Sequence, residues 1–232
     1  AMMRPQDQLR LFELHPTDHA LLAEAFAGDR QVQVHHADGF AGLKGHLPPP
    51  SRRGVLLMDP SYEIKTDYAE VVNATREALT RFAEGVVMVW YPQIDLRESA
   101  QLPLRLKAVA EAQARKGWLH ARLTVAEPND RGFGMLGSGM FIINPPHTLV
   151  PALREALPLL VRLLGQFAGA GHVIELQIVG EHGVADHVGE HAEASRRDHH
   201  RTDGEPVESV GQIHRVAGTD DDEGAEDDEE PA

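Results

Sequence analysis

Short apolar runs alternate with amphipathic stretches over residues 8–180, and this pattern limits the folds open to the chain. The apolar runs, such as residues 54–58 and 86–91, have the length and continuous hydrophobicity of buried strands. The stretches between them, such as residues 66–84, place apolar side chains at helical spacing. This alternation predicts an α/β fold, with a doubly wound, mostly parallel sheet covered by helices on both faces.

The same pattern predicts the positions of the individual elements. Predicted strands lie at residues 9–14, 31–36, 54–58, 86–91, 118–126, 140–144 and 172–179, and the last of them are close enough in sequence to pair antiparallel. Predicted helices lie at residues 17–27, 39–46, 66–84, 102–116 and 150–167.

Charge is distributed unevenly along the 232 residues, whose net charge is -14. Residues 181–232 hold 17 acids and 4 arginines, a net charge of -13, whereas residues 1–180 hold 19 acids and 18 bases, a net charge of -1. We therefore predict a folded domain over residues 1–180 and a disordered, acidic, histidine-containing tail over 181–232. The histidines and acids of the tail leave a metal site open as an alternative, but a solvated segment is favoured, and no metal is expected in the domain.

The composition also limits the cellular location expected for the chain. Cysteine is absent, which excludes disulfides and fits a reducing, cytoplasmic location. No stretch approaches the roughly 20 apolar residues of a membrane helix, so no membrane association is expected.

Acidic residues follow three successive predicted strands. Glu13, Asp38 and Asp59 stand at these carboxyl ends, and Tyr91-Pro92 ends the next strand. Ligands of doubly wound sheets bind beyond the carboxyl ends of the strands. Each acid alone could be a turn former or a helix cap, but three along one edge favour a row of ligand acceptors.

Asp59-Pro60-Ser61-Tyr62 is the most informative of these segments. An acid, a proline carbonyl and an aromatic ring can hold a planar amino group and stack on the ring that carries it. The tetrapeptide alone fits an ordinary strand-ending turn equally well.

Several blocks in order, over about residues 5–179, together resemble a known family, the bacterial 23S ribosomal RNA adenine-N6 methyltransferases of the RlmJ type. The blocks are Phe12-Glu13-Leu14-His15-Pro16, Ala37-Asp38-Gly39-Phe40, Ser51-Arg52-Arg53-Gly54, Asp59-Pro60-Ser61-Tyr62-Glu63, Trp90-Tyr91-Pro92, Ser138-Gly139-Met140 and Ile143-Asn144-Pro145-Pro146.

The resemblance implies a fold of the class I S-adenosylmethionine-dependent methyltransferase type and a cofactor site. Glu13 would accept hydrogen bonds from the ribose hydroxyls of S-adenosylmethionine. Asp38 would accept from the amine of the cofactor's adenine, and Gly39 would let the backbone approach closely.

The resemblance also implies a catalytic group and a partner. Asp59 and the carbonyl of Pro60 would hold the amino group of the target adenine in 23S ribosomal RNA, and Tyr62 would stack on its ring. The target base would leave its stack to reach the pocket. A cytoplasmic monomer is expected.

The sequence departs from the family pattern in two places. Ser61 stands where a second proline is commoner, which loosens the backbone of Pro60 and predicts a modest loss of activity. The family's amino-terminal segment, first strand and Gly-rich loop have no counterpart before Leu9. In the family's order that strand lies between the strands ending in Glu13 and Asp59, so the resemblance predicts exposed strand edges there.

Two other functions remain open on the sequence. The same acid, proline and aromatic arrangement would serve methylation of a DNA adenine or a protein amide. A non-catalytic remnant of the fold, binding RNA weakly, is the alternative from a different class.

Overall fold

The computed structural model describes residues 3–129, 134–179, 185–193 and 214–215. The helices are α1 Pro16–Ala25, α2 Gly39–His46, α3 Thr66–Arg81, α4 Arg97–Gln113 and α5 Leu149–Leu164. The strands are β1 Leu9–Glu13, β2 Val32–His36, β3 Val55–Met58, β4 Val86–Gln93, β5 Trp118–Thr124, β6 Gly137–Ile143, β7 Gly171–Val179, β8 Ala185–Glu193 and β9 His214–Arg215. The predicted elements of the domain are present, and the largest shift is at α4, which begins at Arg97 rather than at residue 102.

The described strands form two sheets. β1 and β2 make a parallel pair in which Glu13 lies opposite His36. The other seven strands form one sheet in the order β3-β4-β6-β5-β7-β8-β9. In this second sheet β3 and β4 are parallel, with Met58 opposite Val89.

The prediction of a mostly parallel sheet is wrong. Among the described strands only β1 with β2 and β3 with β4 pair in parallel, whereas the other five pairings are antiparallel. Strands that are covered by helices on both faces have continuous apolar runs in either orientation, so their hydrophobicity does not reveal direction.

Helices cover both faces of the large sheet, which confirms the α/β fold. On one face Leu79 of α3 and Leu106 of α4 share a core with Val89 of β4. On the other face Leu157 of α5 packs in a core with Leu119 and Ile142. Each fully buried leucine contributes about 1.5–3 kcal/mol of hydrophobic stabilisation, so these two cores fix the helices to the sheet.

Both sheets have edges that pair with no described strand. β1 and β3 are edge strands of their sheets, and the resemblance predicts a further strand of the family between them. One face of β3 is also open, because the alternate side chains Val55 and Leu57 are 66% and 58% exposed. α2 connects the two parts, because Leu43 joins the core that contains Met58 while the ring of Phe12 lies against Gly42.

Part of the predicted tail forms a strand. Ala185–Glu193 forms β8 and pairs antiparallel with β7 along its whole length. The sequence did not predict this strand, because backbone hydrogen bonds to the β7 edge do not depend on apolar side chains. The acidic run from Asp220 onward lies outside the described residues, and for it disorder stays a prediction.

Within the described ranges, no helix has the length and apolar character needed to cross a membrane. The same residues contain no group of three or more acidic or histidine side chains arranged to hold a metal ion.

Candidate functional site

The Asp59-Pro60-Ser61-Tyr62 turn follows the carboxyl end of β3 and lies beside the end of β4. Tyr62 has a left-handed backbone, with φ of 56°, which is uncommon for a bulky residue and costs about 1–3 kcal/mol. Its hydroxyl donates a hydrogen bond to the carbonyl oxygen of Trp90, with Oη and O 2.6 Å apart. This bond ties the turn to the last residues of β4 and holds the strained conformation.

The ring of Tyr62 is buried in this structure, with only 5% of the residue exposed. Its centroid lies 4.7 Å from that of Tyr68 and 6.4 Å from that of Trp90. Burial raises the pKa of its hydroxyl, and the nearby charge of Asp59 adds to the effect. The hydroxyl therefore stays protonated as a hydrogen-bond donor, whereas stacking of the ring on a target base stays a prediction.

Asp59 presents a carboxylate at the mouth of this turn. The protein around it removes part of its water, and this desolvation raises the pKa of the carboxyl above its usual range. Within the described part of the chain Asp59 makes no ion pair or side-chain hydrogen bond. Its oxygens are therefore free to accept hydrogen bonds from an amino group.

The starts of α3 and α4 form the rim next to the turn. Lys65 Nζ lies 3.6 Å from Glu98 Oε1, while the buried Oε2 of Glu98 has no hydrogen-bond partner among the described residues. Ser99 Oγ donates to the carbonyl oxygen of Pro92 at 2.7 Å. Sequence reasoning did not place Tyr68, Glu98 or Ser99 near the site, because helical periodicity shows which face a side chain occupies but not which turn it approaches.

Glu13 and Asp38 lie at the carboxyl ends of the β1–β2 pair. Glu13 Oε1 accepts from the backbone N of His15 at 2.7 Å, and Asp38 Oδ1 caps α2 by accepting from the N of Phe40 at 2.8 Å. Each acid therefore has the local role that the sequence left open. In the described structure the second oxygen of each carboxylate makes no hydrogen bond, so both acids can still accept from a ligand.

Gly39 begins α2 beside an aromatic group. A Cβ at Gly39 would lie 3.3 Å from the Cβ of Phe12, and the ring of Phe12 stacks on that of His35 with centroids 4.7 Å apart. Gly39 thus lets α2 approach β1 closely. The approach of a cofactor to Gly39 stays a prediction.

The structure groups the predicted residues into two sets. Asp59, Pro60 and Tyr62 belong to one turn, and Glu13, Asp38 and Gly39 surround the start of α2. No hydrogen bond between described residues joins the sets, and α2 links them through Leu43 in the core of Tyr62.

Two family-like blocks have structural roles away from these residues. A Cβ at Gly139 would lie 2.2 Å from Cε1 of Tyr91, so this glycine makes room for the tyrosine ring on the neighbouring strand. Asn144, with φ of 54°, accepts from the backbone N of Arg115 and Lys116 and donates to the carbonyl oxygens of Ala83 and Gly85, each at 2.9 Å. It therefore holds together the turns at the opposite end of the sheet.

Proteins with an α/β fold and acids at the carboxyl ends of parallel strands form a class that binds ligands at that edge of the sheet. This chain has the features of that class. Comparison of the fold gives a solved relative: a crystal structure of a protein from Legionella pneumophila str. Philadelphia 1 superposes with a TM-score of 0.66 and 32% identity. The match covers 75% of this chain and 62% of the other.

Comparison of the sequence gives the family. The model of the family described as ribosomal RNA large subunit methyltransferase D, RlmJ, matches residues 1–176. The chain is 43% identical over 180 residues to ribosomal RNA large subunit methyltransferase J of Escherichia coli (strain K12), covering 78% of this chain and 62% of the relative. For the protein of the same name from Haemophilus influenzae the identity is 41%, covering 70% of this chain and 56% of the relative. The chain belongs to the RlmJ family of ribosomal RNA methyltransferases and spans about 60% of the length of these relatives.

Proposed function

We propose that this chain carries the site of an S-adenosylmethionine-dependent methyltransferase that modifies N6 of an adenine in 23S ribosomal RNA, in the cytoplasm. The observation that supports it most is the free Asp59 carboxylate, with its raised pKa, in the Asp59-Pro60-Ser61-Tyr62 turn of a family member.

The arrangement suits methyl transfer to a planar amine. Asp59 and the carbonyl of Pro60 would accept the two N–H groups of the adenine amine. Two acceptors fix the plane of the amine, and they turn the nitrogen lone pair away from the ring and toward the donor. Such orientation can contribute several kcal/mol to a reaction between two bound molecules. For Tyr62 to stack on the base, its ring would have to leave the buried contact with Tyr68 and the hydroxyl bond to Trp90 that it has in this structure.

The residues at the start of α2 fit a nucleoside. S-adenosylmethionine supplies the reactive methyl group when bound. Glu13 would accept from its ribose hydroxyls and Asp38 from its adenine amine, and each acid has one oxygen outside its local bond. Gly39 has no side chain, so the cofactor could approach the backbone at the start of α2. The same absence of a side chain lets Phe12 pack close to Gly39.

The test is a methylation assay on unmodified 23S ribosomal RNA, with labelled S-adenosylmethionine and mass-spectrometric mapping of N6-methyladenine. We expect label in the RNA, none in duplex DNA, and far less in RNA incubated with the Asp59→Asn variant. Glu84→Gln, which changes an exposed acid at the opposite end of the sheet, is the matched control and should be active.

Two outcomes would contradict the proposal. Labelling of duplex DNA or of a protein in preference to RNA would support amine methylation of another substrate. No incorporation by the folded wild-type chain would mean that this chain retains the fold without the activity.

A further inference from the structure

A groove of about 340 Å³ runs between α3 and α4, on the surface that these helices turn away from the sheet. Val72 and Arg76 line it on α3, and Arg105, Val109 and Gln113 line it on α4. Val72 and Val109 are buried at its floor, while both arginines are exposed at its rim. The groove therefore combines an apolar floor with a cationic rim.

Within the described residues, the guanidinium groups of the two arginines are not neutralised by an acidic side chain. Arg76 donates only to the neutral Asn73 Oδ1, at 3.1 Å, and neither arginine forms an ion pair within the described ranges. By contrast, Arg81 on the same helix is paired with Glu77. Planar guanidinium groups are well suited to phosphate oxygens, so an anionic partner would complement this rim.

Gln113 adds an independent observation. Its Oε1 is buried and has no hydrogen-bond partner among the described residues. A buried acceptor without a donor costs about 1–3 kcal/mol. A ligand hydroxyl could remove this cost once the amide turns toward the groove, because the oxygen is closed to solvent in this structure. RNA provides both missing groups, because its phosphates accept from arginine and its 2′-hydroxyl can donate to an amide oxygen. An acidic peptide side chain provides only the acceptor.

The position of the groove relates it to the proposed site. α3 begins just after the Asp59-Pro60-Ser61-Tyr62 turn, and α4 begins after the carboxyl end of β4. Both helices run back from that edge. At 1.5 Å per residue, Arg76 lies about 15 Å along α3 and Arg105 about 12 Å along α4. A strand whose target base enters the site would therefore reach the arginines through flanking nucleotides.

We propose that the groove between α3 and α4 binds the backbone of the RNA that flanks the target adenine. Arg76 and Arg105 contact its phosphates, and Gln113 Oε1 accepts a hydrogen bond from a 2′-hydroxyl. This inference rests on the proposed function, since it takes ribosomal RNA as the substrate.

The first test measures binding of the full chain to a fluorescent, unmodified transcript of 23S ribosomal RNA over a salt series. Each phosphate contact to single-stranded RNA changes the slope of log K against log salt by about 0.7. The double variant Arg76→Gln, Arg105→Gln should therefore lower that slope by about 1.4 in magnitude. Arg81→Gln, on the same helix but already paired, is the matched control and should change it little.

The second test measures the preference for RNA over single-stranded DNA of the same sequence. Gln113→Met keeps the length of the side chain but removes the acceptor, so it should reduce the preference without changing the salt slope. An unchanged preference would overturn the assignment to the 2′-hydroxyl.

The outcomes separate this inference from the proposed function. Wild-type chain that does not bind RNA would overturn both. Wild-type binding with equal slopes for the double variant and for Arg81→Gln would overturn only the groove. A synthetic peptide of residues 219–230 that binds wild type but not the double variant, with RNA binding unaffected, would make the groove an acidic-peptide site and also overturn the inference.

Discussion

At residue 59 the structure places a carboxylate that has no partner among the described residues, although it is partly shielded from water. Asn in its place keeps the shape but removes the charge and one acceptor oxygen. We expect Asp59→Asn to slow single-turnover methylation of ribosomal RNA by about 10²-fold or more. The rate of the wild type should itself fall as the pH is lowered through the raised pKa of Asp59, because the protonated acid accepts poorly. A variant as fast as wild type would contradict this role.

Asp59 also predicts an effect of pH on stability, and its sign is opposite to that of the effect on the methylation rate. A raised carboxyl pKa means that the folded protein binds this proton more tightly than the unfolded chain does. The contribution of Asp59 to stability is therefore present at low pH and lost as the pH rises through the folded pKa. Asp59→Asn should be at least as stable as wild type at pH 7, which separates a loss of activity from a loss of folding.

Ser61 is a second test at this scale. Its Oγ is 3.5 Å from the backbone N of Glu63, a distance too long for a strong bond. Proline at position 61 would restrict Pro60 to extended conformations and so fix its carbonyl. We expect Ser61→Pro to raise the single-turnover rate severalfold, with Ser61→Ala as the control for loss of the hydroxyl. Equal rates for both variants would show that this backbone restriction has no catalytic effect.

At the scale of the elements, the sequence predicted most strands and helices but not how the strands pair. Apolar runs such as β6 indicate burial, and that signal is the same for parallel and antiparallel neighbours. The acids at the ends of β1, β2 and β3 were located from sequence, because strand ends follow from hydrophobic length. The bond from Tyr62 to Trp90 could not be predicted, since it depends on a left-handed backbone at residue 62.

Contacts between neighbouring strands can be tested at Gly139. A methyl group there would overlap the ring of Tyr91, and overpacking a core costs about 1–3 kcal/mol. Gly139→Ala should therefore lower the free energy of unfolding in urea by that amount. Gly45→Ala, in α2 where no atom lies within 4 Å of the added Cβ, should cause no loss. Equal effects of the two substitutions on the free energy of unfolding would show that the overlap with Tyr91 does not destabilise the protein.

At the scale of the whole molecule, a buried histidine makes stability depend on pH. Burial is the main cause that lowers the pKa of His120 to about 4. The negative charge of Glu175 raises this pKa, whereas the positive charges of Arg122 and Lys107 lower it further. The Nε2 of His120 lies 2.7 Å from the hydroxyl of Tyr91, which can donate to the neutral ring.

Because the folded pKa of His120 lies below the unfolded value of 6.5, its contribution is present above pH 6.5 and lost as the pH falls through about 4. Urea unfolding of wild type and of His120→Gln, which keeps a partner for Tyr91, should show a smaller decline in that range for the variant. Identical pH profiles would contradict the neutral, buried state of His120.

The most direct measurement is calorimetric titration of S-adenosylmethionine into the folded 232-residue chain. We expect micromolar binding that is lost in Glu13→Ala and in Asp38→Ala but kept in Glu24→Ala, which changes an exposed acid on α1. No heat of binding from the folded wild-type chain, or binding that survives both substitutions at the start of α2, would contradict this expectation.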